Sequence, residues 1–240
     1  VDTNGDGIQN DGESGINGVK VTLTIAYTDG VVITVTVVTT NDVSGNPGYY
    51  SFGNLLLDED QNGSGSDFEP VHTISVDVTQ PALAGYKPTA INSGSDDKVD
   101  ADNPAGVVAQ PIQGLSNTTA KDPTSTEGTN ASYDFGFYQP ASLGNRVWND
   151  LDKDGIQDGS EVGVSGVKVD LLDSTGKVIS STVTDASGIY TFSNLVPGTY
   201  SVQFTAPAGY ALTSANAGSD DGLDSDANPV TGRTIQIPLV

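Results

Sequence analysis

Two twelve-residue stretches, each crowded with oxygen-bearing side chains around a central glycine, constrain this chain more than any other feature. The first acidic loop covers residues 2–13 (DTNGDGIQNDGE), and the second acidic loop covers residues 150–161 (DLDKDGIQDGSE). Acceptor side chains recur at loop positions 1, 3, 5, 9 and 12, with glycine at 6 and an isoleucine carbonyl at 7. This spacing is typical of a calcium-binding loop, because a chain wound around a hard cation turns every second residue inward. The predicted ligands are Asp2, Asn4, Asp6, Ile8, Asn10 and Glu13 in the first loop, and Asp150, Asp152, Asp154, Ile156, Asp158 and Glu161 in the second.

The flanks of these loops predict strands instead of the helices of an EF-hand. Downstream of the second loop, Val167, Val169 and Leu171 alternate with polar residues, which is the two-residue period of a β-strand. Gly163 and Gly166 stand where a helix would begin. We therefore expect calcium loops set between β-strands.

The composition excludes several function classes. The chain has 31 acidic and 9 basic residues, a formal net charge of −22, so nucleic acid and anionic membrane surfaces would repel it. No apolar run reaches membrane-spanning length, and we expect no membrane insertion. Cysteine is absent, so disulfides cannot stiffen the fold and bound metal is the natural substitute.

The chain repeats one unit. The sequence GYYSFGNL at residues 48–55 matches GIYTFSNL at 188–195, and AGYKPTAINSGSDD at 84–97 matches AGYALTSANAGSDD at 208–221. We therefore predict two homologous domains, residues 1–139 and 140–240. Alternation and turn residues predict an all-β fold of two tandem β-sandwich domains. The predicted strands are residues 31–40 in the first copy, and 143–148, 166–172, 178–184, 189–195, 199–204 and 234–239 in the second.

Each copy lacks one landmark that the other has. The first has no counterpart of LGNRVW (143–148), so its first strand is expected to be missing, and it carries long insertions. The second has no counterpart of SYDFGFY (132–138), so its last strand is expected to be missing. Two explanations stay open: a segment cut from a longer array, or neighbouring chains that supply the missing strands and so build a filament.

A second acidic cluster recurs in both copies with the spacing DDxxDxD. A run of charged residues is most often a solvated loop. Because this cluster recurs at the same place in both copies, we favour a second calcium site. The residues are Asp96, Asp97, Asp100 and Asp102 in the first copy, and Asp220, Asp221, Asp224 and Asp226 in the second.

No residue pattern indicates catalysis, so we expect no enzyme, no catalytic residues and no organic cofactor. His72 is the single histidine and lies in an alternating stretch, which favours a strand residue. No cysteine nucleophile, nucleophile elbow or phosphate loop is present. The single tryptophan, Trp148, lies among alternating apolar residues and is predicted to belong to the core.

The combined motifs resemble the SdrD B-like domains of serine-aspartate-repeat adhesins. The resemblance is carried by LGNRVWNDLDKDGIQDGSEVGVSGVKVDLLD, TDASGIYTFSNLVPGTYSV, GSDDGLDSDANP and, in the first copy, YDFGFY. It implies immunoglobulin-like or prealbumin-like sandwiches that bind Ca²⁺ through the two acidic loops. It also implies a stalk on a bacterial cell surface or a secreted adhesin, with calcium ions and neighbouring repeats or like subunits as partners. The alternative is a self-assembling extracellular filament subunit joined by strands exchanged between subunits.

Overall fold

The computed structural model describes residues 1–10, 12–27, 29–53, 71–91, 93, 101, 110–111, 134–220 and 222–240. The chain divides into two compact units, Val1–Gln139 and Pro140–Val240. In the described residues, the regular structure is β-strand apart from one short 3-10 turn at Pro81–Leu83. This content confirms the all-β part of the predicted fold class.

The strands of the first unit form two sheets. They are β1 (Lys20–Ala26), β2 (Val32–Val38), β3 (Val71–Val76), β4 (Lys87–Pro88), β5 (Gln110–Pro111) and β6 (Phe137–Tyr138). One sheet has the order β2-β1-β3-β5, and β4 pairs with β6 in the other. Strand β1 pairs antiparallel with β2 and β3. It forms because valine, leucine and isoleucine alternate with threonine, a pattern suited to a pleated surface with one buried face.

The buried face of β1 makes the core of the first unit. Val21 and Leu23 are almost completely buried, and Phe137 from β6 packs into the same cluster. Since β1 and β6 belong to different sheets, this apolar layer between them is the core of a sandwich. His72 lies in β3 and is buried, which confirms its prediction as a strand residue.

The strands of the second unit also form two sheets. They are β7 (Ala141–Arg146), β8 (Lys168–Leu172), β9 (Val178–Val183), β10 (Ile189–Leu195), β11 (Gly198–Thr205) and β12 (Ile237–Leu239). Strand β10 pairs with β7, and the larger sheet has the order β12-β11-β8-β9. Val169, Leu171 and Val202 from the larger sheet pack against Tyr190 and Phe192 from β10. The inward orientation predicted for Tyr190 and Phe192 is confirmed.

Strand positions in the second unit match the predictions closely, with differences at the ends. The first strand ends at Arg146, so Trp148 lies outside it and makes an isolated bridge with Gly163. The last strand covers Ile237–Leu239 only, and Thr234, which lies before it, bonds through its side chain and backbone to Val202 of β11. Within the described part of the chain, no helix has the length and apolar character needed to cross a bilayer.

Candidate calcium centre

Three carboxylates of the second acidic loop converge on one point. Asp150, Asp152 and Asp154 each present an oxygen, and these oxygens all lie within 4.8 Å of one another. Asp152 and Asp154 are exposed, whereas Asp150 is half-buried. Among the described residues no other group of three or more acidic or histidine side chains is gathered so closely. The arrangement follows from positions 1, 3 and 5 of the loop pointing inward.

The backbone of the loop holds Asp150 in place. Its Oδ1 accepts a hydrogen bond from the Lys153 N–H (2.6 Å), and its Oδ2 accepts one from the Gly155 N–H (3.0 Å). The Thr213 hydroxyl also donates to Oδ2. Burial acts to raise the pKa of Asp150, but these hydrogen bonds outweigh it and hold the pKa below its usual range. Asp150 is therefore kept ionised as a fixed anion.

Glu161 closes the loop. Its side chain is buried, its Oε1 accepts from the Leu151 N–H (2.7 Å), and its Oε2 accepts from the Asp158 N–H (3.0 Å). Because each oxygen accepts a hydrogen bond from a different backbone N–H of the loop, the orientation of the Glu161 carboxylate is fixed without a bound ion.

Asp152 is the carboxylate of the second loop whose ionised form is disfavoured by its surroundings. Loss of hydration within the loop, followed by repulsion from Asp154, Asp150 and Asp158, raises its pKa above the usual value. A cation bound among these oxygens would relieve this repulsion, since its charge is opposite to theirs.

The first acidic loop has the same backbone hydrogen-bonding pattern as the second, but fewer carboxylates among its predicted ligands. Asp2 accepts hydrogen bonds from Gly5 (2.6 Å) and Gly7 (3.0 Å), as Asp150 does from Lys153 and Gly155. Glu13 accepts from the N–H groups of Thr3 (2.6 Å) and Asn10 (3.3 Å). The two twelve-residue stretches therefore fold alike.

Asn4 and Asn10 give the first loop fewer carboxylates than the second. Their side-chain amides donate to Asp6 at 3.0 and 2.9 Å. Burial acts to raise the pKa of Asp6, but the bonds from Asn10, Ile8 and Asn4 lower it overall. In the first loop, hydrogen bonds from two asparagine side chains therefore stabilise the Asp6 carboxylate.

The glycine at loop position 6 is required in both copies. Gly7 and Gly155 have φ of +80° and +83°, a region that residues with a Cβ rarely adopt. A Cβ on Gly155 would also lie 2.6 Å from the Ser214 carbonyl oxygen. This close approach brings residues 213–214 against the loop.

With the loop geometry in place, comparison with known proteins identifies the chain's relatives. The SdrD B-like domain family matches residues 1–137 and 141–240. The chain belongs to the SdrD B-like domain family. It is 42% identical over 232 residues to serine-aspartate repeat-containing protein F of Staphylococcus epidermidis, covering 96% of this chain and 11% of that protein. It is 38% identical over 233 residues to serine-aspartate repeat-containing protein D of Staphylococcus aureus strain Newman, covering 96% of this chain and 15% of that protein.

A solved structure with weaker likeness is the minor pilin GBS52 of Streptococcus agalactiae. Identity is 12% and the TM-score is 0.29, with 97% of this chain and 82% of that chain covered. This likeness is too weak to inform fold or function. The family membership confirms the resemblance inferred from the motifs.

In the second of these SdrD B-like units, the additional acidic cluster lies partly against the second acidic loop. Asp224 is buried and forms an isolated backbone bridge with Ile156. Its Oδ2 accepts from the Gly218 N–H (3.1 Å), and its Oδ1 has no hydrogen-bond partner in the described structure. Asp220 accepts from the Gly222 N–H within its own turn. Asp226 lies near Tyr190, whose pKa is raised to about 12 by burial and, secondarily, by the Asp226 charge.

These three side chains therefore do not gather into a separate close group among the described residues. The remaining predicted ligands of the second cluster fall outside the described residues: Asp96, Asp97, Asp100, Asp102 and Asp221.

Three supporting residues escaped the motif analysis. Thr89 and Thr213 donate hydroxyl bonds to Asp2 and Asp150, across 87 and 63 residues of sequence. Arg146 donates to the Glu161 carbonyl (2.8 Å) and to the Gln157 side chain (3.1 Å). The two threonines could have been found from the sequence, because each ends a repeated AGYxxT pattern, at Thr89 and at Thr213.

The donor set of the second loop fits a calcium ion. Calcium takes six to eight oxygen ligands from carboxylates, carbonyls and water. In sequence the loop offers five carboxylates and the Ile156 carbonyl. The structure gathers Asp150, Asp152 and Asp154, whereas Asp158 and Glu161 are not part of that close group. Asp224, whose backbone bridges to Ile156, has a buried Oδ1 without a hydrogen-bond partner in the described structure. A buried carboxylate oxygen without a donor is unfavourable unless a proton or a cation compensates it.

Proposed function

We propose that this chain is a calcium-stiffened stalk segment of a bacterial cell-surface or secreted adhesin. The proposal has no catalytic step. Its two SdrD B-like units would act as mechanical spacers in the extracellular medium, where calcium is plentiful. The observation that carries it is the convergence of Asp150, Asp152 and Asp154 within 4.8 Å in a loop whose closing carboxylate, Glu161, is already oriented.

The proposed ligands of the second loop are Asp150, Asp152, Asp154, the Ile156 carbonyl, Asp158 and Glu161. Bound calcium supplies a positive charge that holds these oxygens together. The chain's own residues do the rest: backbone N–H groups fix Asp150 and Glu161, and Arg146 anchors the last turn of the loop to β7. Such a tie joins segments that no disulfide can join, because the chain has no cysteine.

The two loops should differ in affinity. The first loop has three carboxylates among its proposed ligands, Asp2, Asp6 and Glu13, and its asparagine amides already neutralise part of Asp6. The second has five carboxylates and a raised pKa at Asp152. Since affinity follows the number of charged ligands, the second loop should bind calcium more tightly.

The test is a calorimetric calcium titration of the whole chain, with melting curves in calcium and in chelator. If the Kd is about 10 μM and free calcium about 1 mM, binding adds roughly 2.7 kcal/mol per site. For a unit of this size, that corresponds to about 10 °C or more in melting temperature. Magnesium is the control, because it demands a tighter octahedral shell. No heat of binding together with identical melting curves would sink the proposal.

A second candidate is a self-assembling extracellular filament subunit joined by exchanged strands. It is favoured by β2, which ends the order of its sheet among the described strands and exposes Val32, Ile33 and Val35. An uncharged edge strand of this kind can template pairing with another chain. Sedimentation in calcium tests it: growth of polymers supports it, and a single monomeric species contradicts it.

A further inference from the structure

Strand β2 of the first unit has an edge without the features that usually prevent pairing. It ends the order β2-β1-β3-β5 among the described strands. Residues 31–41 contain no charged residue and no proline, in a chain whose formal net charge is −22. The pairing of β2 with β1 runs from Val38 to Val32 without a register shift. Charge, proline and bulges are the usual protection of a sheet edge, so β2 is open to a further strand.

Strand β9 has the same end position in the second unit but is protected. It ends the order β12-β11-β8-β9. Its pairing with β8 shifts register between Leu171 and Leu172, and Lys177 directly precedes it. An interrupted ladder and a nearby charge both disfavour an incoming strand. The unprotected edge is therefore particular to β2.

The backbone of β2 alternates between β1 and the free edge. Thr39, directly after β2, faces β1: its N–H donates to the Val19 carbonyl (2.8 Å), and its carbonyl accepts from the Gly18 N–H (2.9 Å). The Val31 carbonyl, directly before β2, also faces β1 and accepts from the Tyr27 N–H (2.9 Å). Because successive residues of an antiparallel strand turn their polar groups to opposite sides, the odd-numbered residues bond to β1. The even-numbered residues, which point to the free edge, are Val32, Thr34, Thr36 and Val38.

These four residues have backbone groups available for another strand. In the described structure they make no backbone hydrogen bond outside the ladder of β2. The same side of the chain is used only beyond β2, where Thr40 and Tyr49 exchange two backbone hydrogen bonds at 2.9 and 2.8 Å. Thr40 is also even-numbered, which agrees with the assigned direction. The free edge therefore extends from Val32 to Val38.

The side chains of β2 suit a paired strand. Four aliphatic side chains are between 42% and 58% exposed: Val32, Ile33, Val35 and Val38. Against β1, threonine already lies opposite threonine, and the Thr22 and Thr36 hydroxyls are 3.0 Å apart. Such cross-strand pairs of threonines and of β-branched aliphatic residues stabilise antiparallel sheets.

A second copy of β2 matches this edge residue by residue. The sequence of β2, VITVTVV, reads almost the same in both directions about Val35. In an antiparallel pair centred on Val35, threonine lies opposite threonine and each aliphatic residue lies opposite another. Only even-numbered residues then meet as hydrogen-bonded pairs, which agrees with the direction of the free N–H and carbonyl groups. The facing pairs are Thr34 with Thr36, Ile33 with Val37, and Val32 with Val38.

We propose that this edge is a dimer interface, in which β2 pairs antiparallel with β2 of a second copy of this chain about a twofold axis at Val35. Each of the four even-numbered residues donates one hydrogen bond to the second copy and accepts one. The pairing uses both edges completely, so the assembly closes at two chains. It needs no bound calcium, and it goes beyond the proposed stalk function.

Sedimentation velocity of the whole chain, in chelator and at about 0.15 M salt, tests the proposal. We expect a shift from monomer to dimer between about 1 μM and about 1 mM chain, with no larger species. Higher salt should strengthen the dimer, because it screens the repulsion between two chains of net charge −22. A monomer at all concentrations would overturn the proposal.

A cysteine at the twofold axis tests the register, since the chain has no cysteine of its own. Val35 faces its own copy in a non-hydrogen-bonded pair, where Cα atoms are about 4.5 Å apart, a separation that a disulfide can bridge. Val35→Cys should therefore give a covalent dimer on copper-catalysed air oxidation. The control is Val32→Cys, which is equally accessible but lies roughly 20 Å from its own copy in this register. Equal cross-linking of the two variants would contradict the register.

A pair of charge variants tests the contact without oxidation. Thr34→Lys with Thr36→Lys places like charges opposite each other in the paired strands and should weaken the dimer about tenfold. Thr34→Lys with Thr36→Glu places opposite charges there and should retain it. Both variants change the same two exposed side chains, so equal melting temperatures show that each variant is folded. Equal dimerisation of the two variants would contradict the proposed pairing.

Polymer growth is the remaining outcome. If the chain assembles beyond two copies, the edge of β2 is not closed by a twofold axis, and the dimer proposal is wrong. The same result would support the filament candidate.

Discussion

Replacing Glu161 by glutamine should separate the structural and metal-binding contributions of the second acidic loop. Glu161 is buried, and each of its carboxylate oxygens accepts one backbone N–H, from Leu151 and from Asp158. Glutamine keeps one acceptor oxygen and turns the other into an N–H₂ group. One backbone N–H therefore loses its acceptor, whichever way the amide is oriented.

The expected magnitude follows from these two bonds. A hydrogen bond to a charged group contributes about 1.5–3 kcal/mol, so Glu161→Gln should lower the free energy of unfolding by about 2 kcal/mol even in chelator. The substitution also removes one charge from the proposed ligands. A tenfold loss of calcium affinity adds about 1.4 kcal/mol at saturating calcium. The total in calcium is then about 3–4 kcal/mol, a large part of the 5–15 kcal/mol typical of a domain.

Urea denaturation followed by Trp148 fluorescence measures this effect in the correct unit, because the single tryptophan lies in the second one. The matched control is Asp152→Asn. Asp152 is exposed and repelled by its neighbours, so its amide should leave stability in chelator unchanged or slightly higher while it weakens calcium binding about tenfold. If Glu161→Gln destabilises equally in calcium and in chelator, Glu161 has a structural role only, and the calcium reasoning fails.

Three further predictions concern packing, backbone and charge in the second unit. Val202→Ala should lower the free energy of unfolding by about 2–3 kcal/mol, since Val202 is fully buried, whereas Val230→Ala at an exposed site should change nothing measurable. Gly163→Ala should lower the free energy of unfolding by about 1–3 kcal/mol, because a Cβ would lie 1.9 Å from the Ser187 carbonyl oxygen. Gly159→Ala is the control, because a Cβ there would meet no atom within 4 Å. Equal unfolding midpoints for the two variants would contradict the prediction. Hydrogen bonds from Lys168 and Ser181 lower the pKa of the buried Asp170, so its stabilisation is present above the unfolded pKa of about 3.9 and is lost as pH falls through the lower folded value. Asp170→Asn should therefore flatten the acid side of the stability curve in chelator, and parallel wild-type and variant curves between neutral pH and about pH 2 would refute it.

Much of the fold could be predicted from local sequence pattern. Strand β8 was visible because Val169 and Leu171 alternate with polar residues, and a strand's two faces follow from that period alone. The turn at residues 173–176 was visible because aspartate and glycine are turn residues, and the Gly176 N–H does bond to the Asp173 carbonyl. The end of β7 was less predictable, because the alternating pattern continues to Trp148 although the ladder stops at Arg146.

The candidate site divides in the same way. Positions 1, 3 and 5 of each acidic loop are neighbours in sequence, so their convergence at Asp150, Asp152 and Asp154 follows from local backbone geometry. The sequence could predict that Asp224 belongs to an acidic cluster, but it could not predict that Asp224 is buried. The backbone bridge between Asp224 and Ile156 joins residues far apart along the chain.

By itself, then, the sequence determined the repeat, the strand period and the ligand spacing, because each depends on residues a few positions apart. Only the tertiary structure decided that Thr213 bonds to Asp150 and that Arg146 anchors the end of the loop at Glu161. These features arise where separate strands and loops pack together. Packing depends on contacts between distant segments, which no local pattern encodes.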